Sequence, residues 1–134
     1  MIRLLIVDEQ AEVRRGLRMR LGIEPDVTVV GETGRAEAAL VLSQTLNPDV
    51  VVIDVARLGT GSANIIQQLH EASPTAAIVV LTLYSDQDTH TRAREAGAEA
   101  FLEKHGGAAD LLQAIRQLAA HRPDPLATRQ LSVG

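Results

Sequence analysis

The chain has 134 residues, a net charge of −4 and 46% hydrophobic residues, which together predict one globular domain with a core of its own. The absence of cysteine excludes disulfides, thiolate nucleophiles and zinc–thiolate sites. With 1% aromatic residues, Tyr84 and Phe101, the chain offers no stacking surface for single-stranded nucleic acid, and its negative charge argues against DNA binding by this domain.

Apolar runs and helical periodicity alternate along the sequence. In chain order they predict strands at residues 4–7, 27–30, 50–53, 76–81 and 100–102, and helices at residues 11–21, 36–46, 62–69, 86–96 and 108–121. The first run meets Asp8 too early to be a signal segment or a membrane span, so we expect a cytoplasmic protein.

The helices differ in how well the sequence anchors them. On the first helix, arginines are expected to form a solvated face opposite the apolar residues. Ser62 is the predicted N-cap of the third helix, and residues 85–88 resemble a capping box for the fourth. The fourth helix offers only Ala93 and Ala96 as apolar contacts, so we expect it to be the least anchored. The third and last helices should bury the apolar residues Ile65, Ile66, Leu69, Leu111, Leu112, Ile115 and Leu118.

Five strand–helix repeats predict an α/β fold, a doubly wound five-stranded parallel sheet covered by helices on both faces. The third strand is an uninterrupted run of β-branched residues, Val50–Ile53, which is typical of a strand buried on both faces. We expect the domain to span residues 1–122, followed by a linker or tail at residues 123–134.

Polar residues follow the strands at one edge of this predicted sheet. They are Asp8 and Glu9 after the first strand, Asp54 after the third, Thr82 after the fourth and Lys104 after the fifth. Each has an ordinary structural explanation: a turn or helix cap for the acids, a strand residue for Thr82 and a surface charge for Lys104. Together, the carboxylates favour a Mg²⁺ site, beside which a hydroxyl and an ammonium would bind a phosphoryl group carried by one carboxylate.

At these residues the chain resembles the receiver domains of bacterial two-component response regulators, and residues 13–18 are similar to the NarL/FixJ subfamily. The resemblance implies that Asp54 is the phosphoacceptor and that Thr82 and Lys104 contact the phosphoryl group. It places Mg²⁺ on Asp8, Glu9, Asp54 and the backbone carbonyl of Ala56. It assigns the switch to Thr82 and Phe101, and the control of water access to Ala56 and Tyr84.

The same resemblance implies partners and output. A sensor histidine kinase would supply the phosphoryl group, and phosphorylation would promote a homodimer. DNA would be reached only through an output domain outside this chain. The expected function is therefore signal transduction that regulates transcription. The domain would catalyse its own phosphorylation and slow dephosphorylation without being a turnover enzyme. A simple core-filling role for Phe101 remains open, because a lone aromatic residue is usually buried.

The chain departs from the family pattern at Glu9, Arg57, Leu58 and His105, which affects loop geometry and rates more than the chemistry. These departures leave one alternative open, a pseudo-receiver that serves only as a protein-interaction module. A nucleotide- or flavin-binding enzyme of the same fold is less consistent with the sequence, because its glycine-rich phosphate loop should follow the first strand, where the acidic pair stands instead.

Overall fold

The computed structural model describes residues 1–54, 62–82, 87–103 and 107–121. Strands and helices alternate throughout this part of the chain, as predicted. The strands are β1 (Ile2–Val7), β2 (Val27–Thr33), β3 (Val50–Ile53), β4 (Ala77–Thr82) and β5 (Ala100–Glu103). The helices are α1 (Ala11–Gly22), α2 (Ala36–Leu46), α3 (Ser62–Ala72), α4 (Gln87–Ala96) and α5 (Gly107–Ala120).

All five strands are parallel and lie in the order β2-β1-β3-β4-β5. The chain steps outward from β1 to β2 and then returns past β1 to β3, so the direction of winding reverses between β1 and β3. In open α/β sheets, ligands bind at the carboxyl ends of the strands at such a reversal. The predicted fold class is confirmed, and the sheet order places the ends of β1 and β3 at the expected binding edge.

The sheet has a hydrophobic core on each face. Alternate residues of β3 serve the two cores: Val50 and Val52 face α1 and α5, whereas Val51 and Ile53 face α2, α3 and α4. Every residue of β3 is buried, which explains why its sequence shows an unbroken apolar run instead of an alternating pattern.

Several predicted boundaries were wrong by a few residues. Strand β2 continues to Thr33 because it stays paired with β1 beyond a register shift between Leu4 and Leu5. Helix α3 already begins at Ser62, so the predicted N-cap is a helical residue. Leu118, predicted to be buried, is only half-buried on α5. The predicted capping residues Ser85 and Asp86 lie outside the described residues.

The ends of α2 and α4 follow the sequence signals. Asn47 ends α2 with φ 49°, a left-handed conformation that asparagine tolerates. Gly97 follows α4 with φ 123°, which favours glycine. In the ranges given above, no helix has both the length and the apolar character needed to cross a membrane.

Candidate functional site

The predicted acidic residues meet at the edge of the sheet where the winding reverses. Asp8 and Glu9 follow β1, and Asp54 follows β3 on the neighbouring strand. The main-chain N–H of Asp54 donates to the carbonyl oxygen of Val7 at 3.0 Å, which ties the two strand ends together. The three carboxylates therefore start from adjacent, hydrogen-bonded segments of backbone.

A cavity of about 270 Å³ opens beside these strand ends. The lining combines carboxylates with apolar side chains and comprises Val7, Asp8, Glu9, Gly34, Ala36, Ile53, Asp54 and Ile65. Gly34 comes from the connection between β2 and α2, Ala36 is the first residue of α2, and Ile65 comes from α3. The cavity therefore lies on the α2 and α3 side of the sheet, with acidic groups at its base.

Asp8 and Glu9 have different surroundings although they are neighbours in sequence. Asp8 is 2% exposed, and its Oδ1 accepts a hydrogen bond from the N–H of Gln10 at 2.8 Å. Its own N–H donates to the carbonyl oxygen of Thr33 at 3.0 Å. Glu9 is exposed. Asp8 is thus fixed at the base of the cavity, whereas Glu9 lies at its rim.

Arg14 also contacts the acidic pair, which the sequence analysis missed. From the first turns of α1, its Nη1 donates to the carbonyl oxygens of Asp8 at 2.5 Å and Glu9 at 3.3 Å. The prediction of a solvated arginine face was therefore wrong for Arg14, whose side chain is half-buried because it folds back over the start of the helix. The only feature of the sequence that indicates this contact is a long side chain with hydrogen-bond donors, Arg14, about one helical turn after the acidic pair.

The two predicted switch residues lie on neighbouring strands. Thr82 ends β4 and is 1% exposed, while Phe101 on β5 is half-buried. Phe101 pairs with Val80, so Phe101 and Thr82 project from the same face of the sheet as diagonal neighbours. Phe101 packs against the core on the α4 side, and the ring of His90 stacks on it with centroids 4.6 Å apart and an interplanar angle of 21°. His90 was not predicted to take part.

Other predicted residues lie outside the described residues. For the site these are Ala56, Tyr84 and Lys104, and for the family departures Arg57, Leu58 and His105. Their assigned roles stay predictions.

The chemistry of the site suits a hard cation. Across the described ranges, no group of three or more His, Cys, Asp or Glu side chains is arranged to hold a metal ion. However, Asp8 and Asp54 line the same cavity, and Mg²⁺ is usually bound through one or two carboxylates while it keeps several waters. Oxygen donors alone also exclude a preference for softer metals. The residues present therefore fit Mg²⁺, with Asp8 and Asp54 as the side chains that would hold it.

Curated relatives of the chain are response regulators. It is 31% identical over 117 residues to the nitrate/nitrite response regulator NarL of Escherichia coli K12, covering 87% of this chain and 54% of NarL. It is 35% identical over 120 residues to the response regulator GacA of Pseudomonas aeruginosa, covering 90% of this chain and 56% of GacA. The chain spans about half the length of these relatives.

Solved structures agree with the fold. A LuxR-family two-component response regulator from Aurantimonas sp. SI85-9A1 is 29% identical with a TM-score of 0.82, covering 97% of this chain and 94% of that one. A response regulator from Burkholderia pseudomallei, solved with a phosphorylated aspartic acid, calcium ion and citrate, is 25% identical with a TM-score of 0.75. The match covers 90% of this chain and 69% of that one. Residues 4–116 match the response regulator receiver domain family, and the chain therefore belongs to that family.

Proposed function

We propose that this domain accepts a phosphoryl group on Asp54 from a sensor histidine kinase in the presence of Mg²⁺. The observation that carries the proposal is the cavity at the reversal between β1 and β3, where Asp8 and Asp54 come together from hydrogen-bonded strand ends. The Burkholderia relative with a phosphorylated aspartic acid supports the same chemistry.

In the proposed reaction, a carboxylate oxygen of Asp54 attacks the phosphorus of a phosphohistidine. A new O–P bond forms, the P–N bond breaks, and the imidazole nitrogen leaves with the electron pair of that bond. Mg²⁺, when bound, offsets the negative charge on the phosphoryl oxygens. Asp8 and Glu9 hold the metal side of the site, and the hydroxyl of Thr82 and the ammonium of Lys104 contact the phosphoryl oxygens. Water then hydrolyses the aspartyl-phosphate and releases inorganic phosphate. The domain therefore dephosphorylates itself and is not a turnover enzyme.

The proposed response to phosphorylation runs through Thr82, Phe101 and α4. Thr82 moves toward the phosphoryl group, and Phe101 repacks into the space beside it. Phe101 and Thr82 share the face of the sheet on which α4 packs, which supports this route. Because a ligand shifts a two-state equilibrium only by its differential affinity, the phosphoryl group must contact Thr82 better in the active state.

For the whole protein we infer transcription regulation in the cytoplasm; a further relative, of Bacillus subtilis, is the transcriptional regulatory protein LiaR. The domain would form a homodimer when phosphorylated and would act on DNA through a separate output domain. Residues 1–122 would form the receiver and residues 123–134 a linker or tail. The backbone carbonyl of Ala56 would complete the Mg²⁺ site, and the side chains of Ala56 and Tyr84 would set how fast water reaches the phosphoryl group.

Intact-mass measurement after incubation with acetyl phosphate and Mg²⁺ tests the proposal. Wild-type protein should gain the mass of one phosphoryl group, and Asp54→Asn should gain none. Asp49→Asn is the matched control, because it makes the same substitution at the opposite end of β3, and it should be phosphorylated like wild type. Omission of Mg²⁺ should abolish the gain.

Two outcomes would contradict the proposal. Equal phosphorylation of wild type and Asp54→Asn would assign the phosphoacceptor elsewhere. No phosphorylation of wild type by either acetyl phosphate or a phosphorylated kinase would favour the pseudo-receiver alternative, in which the same fold serves only protein contacts.

A further inference from the structure

We propose that Arg14 is a positioning residue for the metal side of this site: it holds the main chain of the acidic pair so that the carboxylates of Asp8 and Glu9 face the cavity. The inference rests on the proposed function. The guanidinium of Arg14 contacts backbone carbonyls and not a phosphoryl group.

The hydrogen bonds of the segment from Asp8 to Gln10 show why a further contact matters. One N–H, that of Asp8, is bound to Thr33, and the N–H of Gln10 is bound to the Asp8 side chain. The carbonyl oxygens of Asp8 and Glu9 both point to Nη1 of Arg14, at 2.5 and 3.3 Å. A single nitrogen of Arg14 therefore bridges two successive carbonyls and restricts the rotation of the peptide between the two acids.

Gly34 closes the same contact from the opposite side. A Cβ at residue 34 would lie 2.6 Å from Nη1 of Arg14 and 3.2 and 3.3 Å from the carbonyl oxygens of Asp8 and Glu9. The first distance is too short for a real contact, so the guanidinium occupies space that only glycine leaves open. Gly34 also lines the cavity, which places the Arg14 contact directly behind the wall that carries the carboxylates.

The position of Arg14 is costly, which argues that its contacts are specific. Its Nε is buried and has no hydrogen-bond partner among the residues that the structure describes. An unsatisfied buried donor is unfavourable, and a cation beside a Mg²⁺ site also repels the metal. Two charge-assisted hydrogen bonds to the acidic segment are the contacts that offset these costs.

The charge of Arg14 gives the test a clear sign. If Arg14 acted only through its charge, its removal would strengthen Mg²⁺ binding, because a repelling cation would be gone. If Arg14 positions the acidic pair, its removal should weaken Mg²⁺ binding. Arg15 provides the matched control, since it is an exposed arginine on the same helix.

The experiment is a titration of the ¹⁵N-labelled chain with Mg²⁺, followed through backbone amide shifts of residues 8–10 and 54. Arg14→Met should raise the Kd for Mg²⁺ about tenfold, the lower end of the range for residues that orient metal ligands. Arg15→Met should leave the Kd unchanged or slightly lower. Arg14→Lys should fall between wild type and Arg14→Met, because the shorter side chain keeps a donor but does not reach both carbonyls fully.

Gly34→Ala is a second, independent variant. It keeps Arg14 but displaces its guanidinium, so it should raise the Kd for Mg²⁺ in the same direction as Arg14→Met. A Kd for Arg14→Met that is equal to or lower than that of wild type would overturn the positioning role.

A metal-free measurement separates this inference from the proposed function. Arg14→Met should speed hydrogen exchange of the Gln10 amide several-fold while core amides of β3 keep their wild-type protection, which also excludes general unfolding. Faster exchange of the Gln10 amide in Arg14→Met, combined with a wild type that shows no Mg²⁺-dependent shifts, would refute the proposed Mg²⁺ site but not the positioning role of Arg14. Unchanged exchange of the Gln10 amide in Arg14→Met, together with normal Mg²⁺ binding, would refute only the positioning role of Arg14.

Discussion

Helices α4 and α5 both flank β5, but they are anchored very differently. Helix α5 buries Leu111, Leu112 and Ile115 in the core that it shares with α1. Of the α4 side chains that the structure describes, only Ala93 is buried, and Ala96 is partly buried. The ring of His90 on α4 stacks on the ring of Phe101 on β5.

This difference in buried apolar surface agrees with the proposed roles of the two helices. A large aliphatic residue buries roughly 1.5–3 kcal/mol of transfer free energy, whereas an alanine methyl contributes well under half of that. Movement of α5 would therefore expose a substantial part of one core, whereas movement of α4 costs little. In the proposed response, a phosphoryl contact at Thr82 would therefore bias the position of α4, whereas α5 would stay in place as part of the frame.

The largest expected effect concerns the frame. Ile115 is fully buried, so Ile115→Ala should lower the free energy of unfolding by about 2–5 kcal/mol, through lost burial and the cavity left behind. Ala93→Gly on α4 should cost only about 1 kcal/mol, mostly through lower helix propensity. Urea unfolding of both variants measures the contrast. Equal losses would show that α4 is anchored as firmly as α5.

The weak anchoring of α4 could be predicted from the sequence because it depends on local composition. A helix with alanine as its only apolar residue type cannot bury much surface, whatever it packs against. The uninterrupted apolar run of β3 and the alternation of strands and helices were equally informative, since periodicity and topology rules act locally or pairwise.

The missed contacts are those between different secondary-structure elements or between a side chain and the main chain. Stacking of His90 on Phe101 depends on how α4 lies over β5, which no periodicity reports. The bonds of Arg14 to two backbone carbonyls, with space provided by Gly34, leave no side-chain pattern in the sequence. Strand β2 was predicted too short because its last residues are held by pairing with β1 across a register shift.

A second prediction compares glycines at the end of α4 and the start of α5. Gly97 and Gly107 have φ of 123° and 85°, so alanine is strained at both positions. At residue 97 a Cβ would also lie 3.0 Å from Cγ of His70 on α3, whereas at residue 107 no atom of the described residues would lie within 4 Å. Each substitution should cost about 1–3 kcal/mol, with the larger loss for Gly97→Ala. A larger loss for Gly107→Ala in thermal or urea unfolding would contradict the contact between α3 and the end of α4.

A third prediction tests whether His90 holds α4 against Phe101. His90→Ala should lower the free energy of unfolding by about 0.5–1.5 kcal/mol, the range for an aromatic pair beyond its buried area. Arg92→Ala, at an exposed position of the same helix, is the control and should have a smaller effect. Amide shifts on addition of the phosphate mimic beryllofluoride should cluster at residues 82–104 in wild type. Shifts confined to the neighbours of Asp54 would show that α4 does not respond.

Helix α5 also carries surface ion pairs. Arg116 on α5 donates from Nε to Oδ2 of Asp26 at 2.8 Å and from Nη2 to Oδ1 of Asp26 at 3.0 Å. The same Nη2 donates to Oε2 of Glu24 at 3.1 Å. These bonds connect α5 to the segment between α1 and β2, and they are exposed, so their contribution to stability is small.

The smallest expected effect is the pH dependence of this ion pair. The hydrogen bond from Arg116 lowers the pKa of Asp26 below its usual value, and the same bond raises the pKa of Arg116, which stays charged. Because the folded pKa of Asp26 is lowered, its contribution is complete above the unfolded pKa of about 3.9 and is lost as pH falls through the folded value. The stability difference between wild type and Arg116→Gln should therefore shrink as pH drops from about 5 into this range. Arg15→Gln, a substitution of an exposed arginine on α1, is the control: its stability difference from wild type should not shrink with pH in urea unfolding at matched ionic strength. A stability difference between wild type and Arg116→Gln that stays constant with pH would mean that the ion pair does not form in solution.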